Sequence, residues 1–261
     1  MRRMFIGFAA VMALGLIVAS ALATPNVNSA VIHERVFNDC PSSILTTVNN
    51  YPALISIQDE INCTNGYANL HNWHFSEDGV NDAVFNNDSW FRFAADLIIR
   101  GTGEGESGLQ LAPWWSQNVD GRFNVRTTDG EIACFGGRLP FFSFTGSFGL
   151  HYVKGEVIHL EIIYIPNDLT QTNPATIEYK LTYNNVAYTS GQLAFDEGNP
   201  NEDPPYGLWG MLNDGRAGAH LQVFIANGGM LYAEWSNIEF EDLGSTPTQD
   251  TTWGKIKGMY R

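Results

Sequence analysis

Basic residues are scarce in this chain: 14 Lys and Arg stand against 28 Asp and Glu in 261 residues, a formal net charge of −14. Such a surface repels polyphosphate and anionic headgroups, which excludes nucleic acid and a charged membrane face as partners. Strongly anionic polysaccharides are disfavoured too, unless Arg clusters locally. Charge of either sign is sparse at 16%, whereas aromatics reach 13%, so the supply of core residues is ample. Sustained helical periodicity over three turns is missing, as are tandem repeats of fixed period and the twelve-residue spacing of an EF-hand. The lack of a Cys directly after the single long apolar run argues against a lipid-anchored lipoprotein.

That apolar run spans Met4 to Ala23, follows Arg2 and Arg3, and closes on Ala21-Leu22-Ala23. A basic start, an apolar middle and an A-x-A end are the parts of a secretory signal peptide, and small residues lower its hydrophobicity below that of a membrane anchor. Cleavage after Ala23 is expected, with residues 1–23 removed. The mature charge is then −14 − 2 = −16, because Arg2 and Arg3 leave. Secreted or periplasmic localisation follows, with no membrane association after cleavage. One β-domain over 24–243 and a linker with a short tail over 244–261 complete the chain; the tail ends on the basic-aromatic stretch Trp253 to Arg261.

Of the three cysteines, Cys40 and Cys63 lie 23 positions apart and form the expected disulfide, while Cys134, in Ile132-Ala133-Cys134-Phe135, reads as a buried free thiol. Strand-like runs rich in β-branched and aromatic residues recur at Ala53–Ile57, Ser89–Ile99, Gly108–Ala112, Arg122–Thr127, Val157–Ile165, Thr176–Tyr183 and Leu221–Ala226. Asn184-Asn185 and Asp129-Gly130 read as tight hairpin turns. Gly198 to Pro205 is a polar, proline-rich acidic loop. The fold class is all-β, with two antiparallel sheets packed face to face.

The closing run Trp235-Ser236-Asn237-Ile238-Glu239-Phe240 resembles the final strand of concanavalin A-like lectin/glucanase (LamG-like) jelly rolls, which end on a Trp-x-Asn-Ile-x-Phe-like signature. The resemblance covers Asn69 to Leu243. It implies a jelly-roll sandwich whose concave sheet holds oligo- or polysaccharide, and a fold shared by lectins, hydrolases, lyases and inert spacers does not fix the activity. Hydrolases of this family carry Glu-x-Asp-x-x-Glu on one strand, and no copy is present. Glu239 and Glu241 share a face at the end of the last strand, where solvent is expected. Lyases of this fold pair a His or Tyr base with Arg and Gln or Asn. Arg122, Arg126, Gln110, Asn124, His151 and Tyr152 supply those types without reproducing the Gln-x-His spacing.

Period-two alternation puts Arg122, Asn124 and Arg126 on one face of their strand, and lets Glu106, Gln110 and Trp114 share another. These polar residues are either the solvated side of an antiparallel sheet or the lining of a sugar groove; alternation does not separate the two. Of Trp114 and Trp115, one is expected in the core and the other exposed, suited to stack on a pyranose ring. The candidate ligand-binding set is therefore Gln110, Trp114, Trp115, Arg122, Asn124 and Arg126.

His71 and His74, three apart on a strand, point to opposite faces and cannot share an ion without a bend, so no metal site is expected there. His159 and Glu161 read as a solvated pair with no second carboxylate on their strand. Oxygen-rich turns at Asp196-Glu197-Gly198-Asn199 and Asn213-Asp214-Gly215 would suit calcium, the one cofactor kept open, or are ordinary turns. The expected role is a non-catalytic carbohydrate-associated or surface module, with a polysaccharide-cleaving enzyme as the alternative.

Overall fold

The computed structural model describes residues 24–113, 121–136, 139–196, 209–211 and 213–244. Among the described residues, fourteen strands make two seven-stranded antiparallel sheets. The first runs β1 (Ser29–Asn38), β4 (Ala68–Ser76), β13 (Gly215–Phe224), β6 (Gly105–Pro113), β7 (Gly121–Arg126), β8 (Ile132–Phe135) and β9 (Phe142–Ser143) in spatial order. The second runs β12 (Val186–Ala194), β11 (Thr176–Tyr183), β10 (Val157–Ile165), β5 (Phe91–Gly101), β14 (Gly229–Asp242), β3 (Leu54–Ile61) and β2 (Ile44–Asn50). Strands far apart in sequence lie side by side in both sheets, as a jelly-roll sandwich requires.

Alternation decides which side chains meet between the sheets. Trp73 and Phe75 of β4, Leu109 and Leu111 of β6, Phe123 and Val125 of β7, and Ala217 to Val223 at odd positions of β13 all point inward and are buried. Trp235 of β14 comes from the facing sheet, 6.1 Å from Trp73 between ring centroids at 78°, the edge-to-face arrangement aromatic quadrupoles favour.

The closing motif has a physical explanation. Between Ser236 and Glu239 the pairing with β5 slips, and Asn237 sits in the bulge at φ 50°. A bulge inverts the alternation, so Trp235, Ile238 and Phe240 all turn toward the core, which a regular strand would forbid. Asn tolerates that left-handed conformation better than other side chains. Its amide donates to Asp96 Oδ2 at 2.8 Å, fixing the bulge to β5.

Val157–Ile165 and Thr176–Tyr183 match the expected bounds, and the Asn184-Asn185 turn has φ of 52° and 62°, the values a primed hairpin turn needs. The run at Leu221–Ala226 is the end of a longer strand. Gly215 to His220 lack β-branched residues, and pairing on both sides makes them a strand nonetheless. Gly218 is required where β13 crosses β4: a Cβ would sit 1.9 Å from the Trp73 carbonyl oxygen. Cys40 and Cys63 are bonded, and Cys134 is free and buried, its thiol pushed up by burial. Among the described residues, no helix is long and apolar enough to cross a membrane. Residues 1–23, Trp114, Trp115, Glu197 to Pro205 and the tail beyond Gly244 lie outside the described residues.

Candidate functional site

The outer face of the first sheet carries a continuous polar layer. Register places His74, Gly218, Gln110 and Arg122 in one row across β4, β13, β6 and β7. The next row holds His33, Asn72, His220, Gly108 and Asn124, and a third brings Gln222 beside Glu106 and Arg126. The two glycines leave the centre of this face without side chains, so groups on either side reach across. His220 Nε2 meets Asn124 Oδ1 at 3.1 Å over Gly108. Arg122 Nη1 donates to Gln222 Oε1 at 2.8 Å.

This face is not a solvated one. Gln110 is 1% exposed, Asn124 2%, Arg122 6% and His220 0%, which sets aside the solvated alternative for Arg122 and Asn124, while Arg126 at the strand's end is 31% exposed. Arg122, Asn124 and Arg126 do share a face, as alternation requires, and Glu106 and Gln110 lie beside them. Arg126 is engaged by carboxylates: Asp129 at 2.6 Å, Glu131 at 2.8 Å and Glu106 at 4.0 Å. Burial raises the Glu106 carboxyl above its usual range, against the lowering pull of Arg122 and Arg126.

His220 was missed by sequence reasoning, although His220-Leu221-Gln222 alternates as a strand lining should. Its Nε2 donates to the Asn124 carbonyl oxygen, which leaves Nδ1 as a lone pair, and burial followed by the Arg122 charge holds its pKa well below the usual histidine value. It is therefore neutral at physiological pH. Among the described residues, five buried polar atoms on this face have no hydrogen-bond partner: Asn72 Oδ1, His74 Nε2, Gln110 Oε1, His220 Nδ1 and Arg216 Nε. Each such atom costs about 1–3 kcal/mol, so their gathering on one face marks it as built for something other than stability.

His71 and His74 point to opposite faces of β4, as expected. His71 turns inward: its Nδ1 accepts from the Arg35 backbone N–H at 3.0 Å, so Nε2–H donates to Asp59 at 3.0 Å. His74 turns outward and meets Asp82, which also holds His33; this trio comes from β1, β4 and the turn after β4, and no spacing signal joins its members. His159 and Glu161, on the second sheet's outer face, are not simply solvated. Asp96 binds His159 at 2.7 Å, and Arg92 joins Glu161 at 2.5 Å to Glu239 at 2.8 Å. Beside His159 lies a cleft of about 410 Å³ lined by Asp96, Glu156, Thr182 and Asn184. Glu239 and Glu241 are exposed, as expected. In the Asn213 turn, Asn213 Oδ1 accepts the Asn87 N–H and Asp214 pairs with Arg216, the bonds of an ordinary turn.

No protein-family model matches the chain, and no curated protein matches it in sequence. Among solved structures it is similar to a functionally unknown protein from Saccharomyces cerevisiae, at 8% identity and TM-score 0.42 over 82% of this chain and 96% of that one. A marine alginate lyase from Zobellia galactanivorans aligns at 9% identity and TM-score 0.41, covering 82% and 93%. Lectin II from Ulex europaeus aligns at 8% identity and TM-score 0.38, covering 82% and 99%. Likeness of this order carries nothing about what this chain does.

Proposed function

We propose that this protein is an exported, non-catalytic carbohydrate-associated module that takes a neutral oligosaccharide on the outer face of its first sheet. The observation that carries the reading is the set of buried acceptors without partners at Asn72, His74, Gln110 and His220. A hydroxyl-rich ligand that displaces what now excludes water from this face supplies the donors these buried atoms lack, and Arg122, Asn124 and Gln222 add a polar border. Trp114 and Trp115, which follow β6 in sequence, are proposed as the stacking platform, and Arg126 as a further contact. Export rests on the sequence of residues 1–23 and is supported by the Cys40–Cys63 bond, since disulfides persist in oxidising compartments. Domain bounds of 24–243 go with that reading.

A glycan array followed by calorimetry tests it. The expected result is saturable binding that Gln110→Ala and His220→Ala each weaken about tenfold, on the order of 1.4 kcal/mol. Unchanged affinity in folded variants would remove this face as the site.

A polysaccharide-cleaving role is the second reading, favoured by one feature: neutral His220 keeps a free lone pair close enough to Arg122 to feel its charge. A His base beside a guanidinium suits proton abstraction next to a carboxylate. Release of unsaturated sugar ends from polyuronate, lost in His220→Ala, would establish it in place of the binding role.

A further inference from the structure

We propose that His33, His74 and Asp82 form a binding site for one divalent transition-metal ion of the zinc class, on the rim of the first sheet. One ligand atom from each of the three lies within 4.8 Å of the others. His33 Nε2 is 2.7 Å from Asp82 Oδ1, and His74 Nδ1 is 2.9 Å from Asp82 Oδ2. The residues come from three segments, and their rings are packed at 4.9 Å between centroids, so the set is assembled by the fold.

Two imidazoles and one carboxylate with open remaining positions are a donor set suited to zinc and its neighbours. Metal–ligand bonds of about 2.0–2.2 Å need ligand atoms roughly 3 Å apart; the two contacts with Asp82 need a few tenths of an ångström of opening, and the two imidazole nitrogens, within 4.8 Å, need to draw together. His33 can supply that movement, because its side chain is 37% exposed. The same exposure opens a route from solvent, while His74 is anchored and buried.

A second observation supports the site. With His74 Nδ1–H donating to Asp82, Nε2 is an acceptor, and it lies on the same face as two other acceptors without partners, Gln110 Oε1 and Asn72 Oδ1. Three acceptors cannot satisfy one another. Metal ligation through Nδ1 moves the ring proton to Nε2 and turns one of them into a donor. Gln110 lies across Gly218 from His74 in the same row, about two strand spacings or roughly 10 Å between backbones, with no side chain on the strand between them. A metal-bound His that donates its other N–H to a carbonyl oxygen is the usual outer-shell arrangement.

Arg216 works against the ion: its Nε is 3.7 Å from Asp82 Oδ2 and brings positive charge to the carboxylate. The affinity is therefore modest, and removing that charge raises it.

The test uses tag-free mature protein, stripped with chelator and dialysed, titrated with Zn²⁺ by calorimetry and with Co²⁺ by visible absorption. One equivalent of either ion is expected. His33→Ala, which removes a half-exposed ring, should keep the fold and weaken Zn²⁺ at least tenfold. Asp82→Asn should do the same, and Arg216→Gln should tighten binding severalfold. His159→Ala, on the other sheet, should change nothing. Absence of one-to-one binding, or unchanged Zn²⁺ affinity in His33→Ala, overturns the site.

Discussion

Three residues apart on β4, His71 and His74 each meet an aspartate, and the two pairs have opposite characters. His71 and Asp59 are fully buried between the sheets, where both ring nitrogens are used and Asp59 also accepts from Asn69 at 2.7 Å. Asn69 in turn holds the Cys40 backbone beside the disulfide. His74 and Asp82 are on the outer face, where one ring nitrogen is without a partner and His33 reaches solvent. The inner pair locks β3 to β4. The outer one leaves a ring nitrogen without a partner. Residue types are the same, with Asp59 12 positions before His71 and Asp82 8 after His74, and the face of the strand separates the buried pair from the outer one.

Breaking the inner pair should have the largest effect. His71→Ala leaves the Asp59 charge buried without its imidazole, at a cost of about 3–5 kcal/mol in urea unfolding, with no loss of Zn²⁺ binding in the folded fraction. A cost under about 1 kcal/mol would mean the inner pair does not hold the sheets. Removing the neighbouring bridge with Cys40→Ala and Cys63→Ala together should cost about 3 kcal/mol by the same measurement, from the 23-residue separation.

Acid should separate the two faces. Burial holds His74 and His220 neutral in the folded protein, below the ordinary histidine pKa of about 6.5. The unfolded chain then binds more protons, so this stability is full above about pH 6.5 and declines below it. Asp59 behaves differently: although burial opposes it, hydrogen bonds from His71, Ser43 and Asn69 lower its pKa below the usual carboxylate value of about 3.9. Its contribution is lost only as pH falls beneath about 4. Melting temperature against pH should thus fall in two stages, and His220→Asn should flatten the upper one. A single stage below pH 4 would contradict the neutral outer histidines. The smallest effect belongs to His33→Ala, an exposed partner whose loss should cost under about 1 kcal/mol of stability.

Much of the fold was legible because strands announce themselves by alternation. β10 and β11 were readable to the residue, and the Trp235 to Phe240 motif marked the last strand, although only the bulge at Asn237 shows why its three apolar residues face one way. β13 was half hidden, because Gly215 to His220 are chosen for close approach to β4 and for the outer face, not for strand propensity. The Arg122, Asn124 and Gln110 side of the site followed from local alternation. His220, Asn72 and the trio of His33, His74 and Asp82 did not, since each depends on pairings between strands up to 148 positions apart, as for Asn72 and His220. Burial of the polar face was equally out of reach: alternation assigns a side chain to a face and says nothing of what excludes water from it.

The central claim, that the outer face of the first sheet meets the ligand, is tested most directly through the six histidines. Imidazole ¹⁵N resonances would be followed while the protein is titrated with an oligosaccharide selected on a glycan array. The account predicts that His220 and His74 shift with saturation, while His71 between the sheets and His159 on the second sheet stay in place. A shift confined to His159, or no shift with any array-selected sugar, would contradict it.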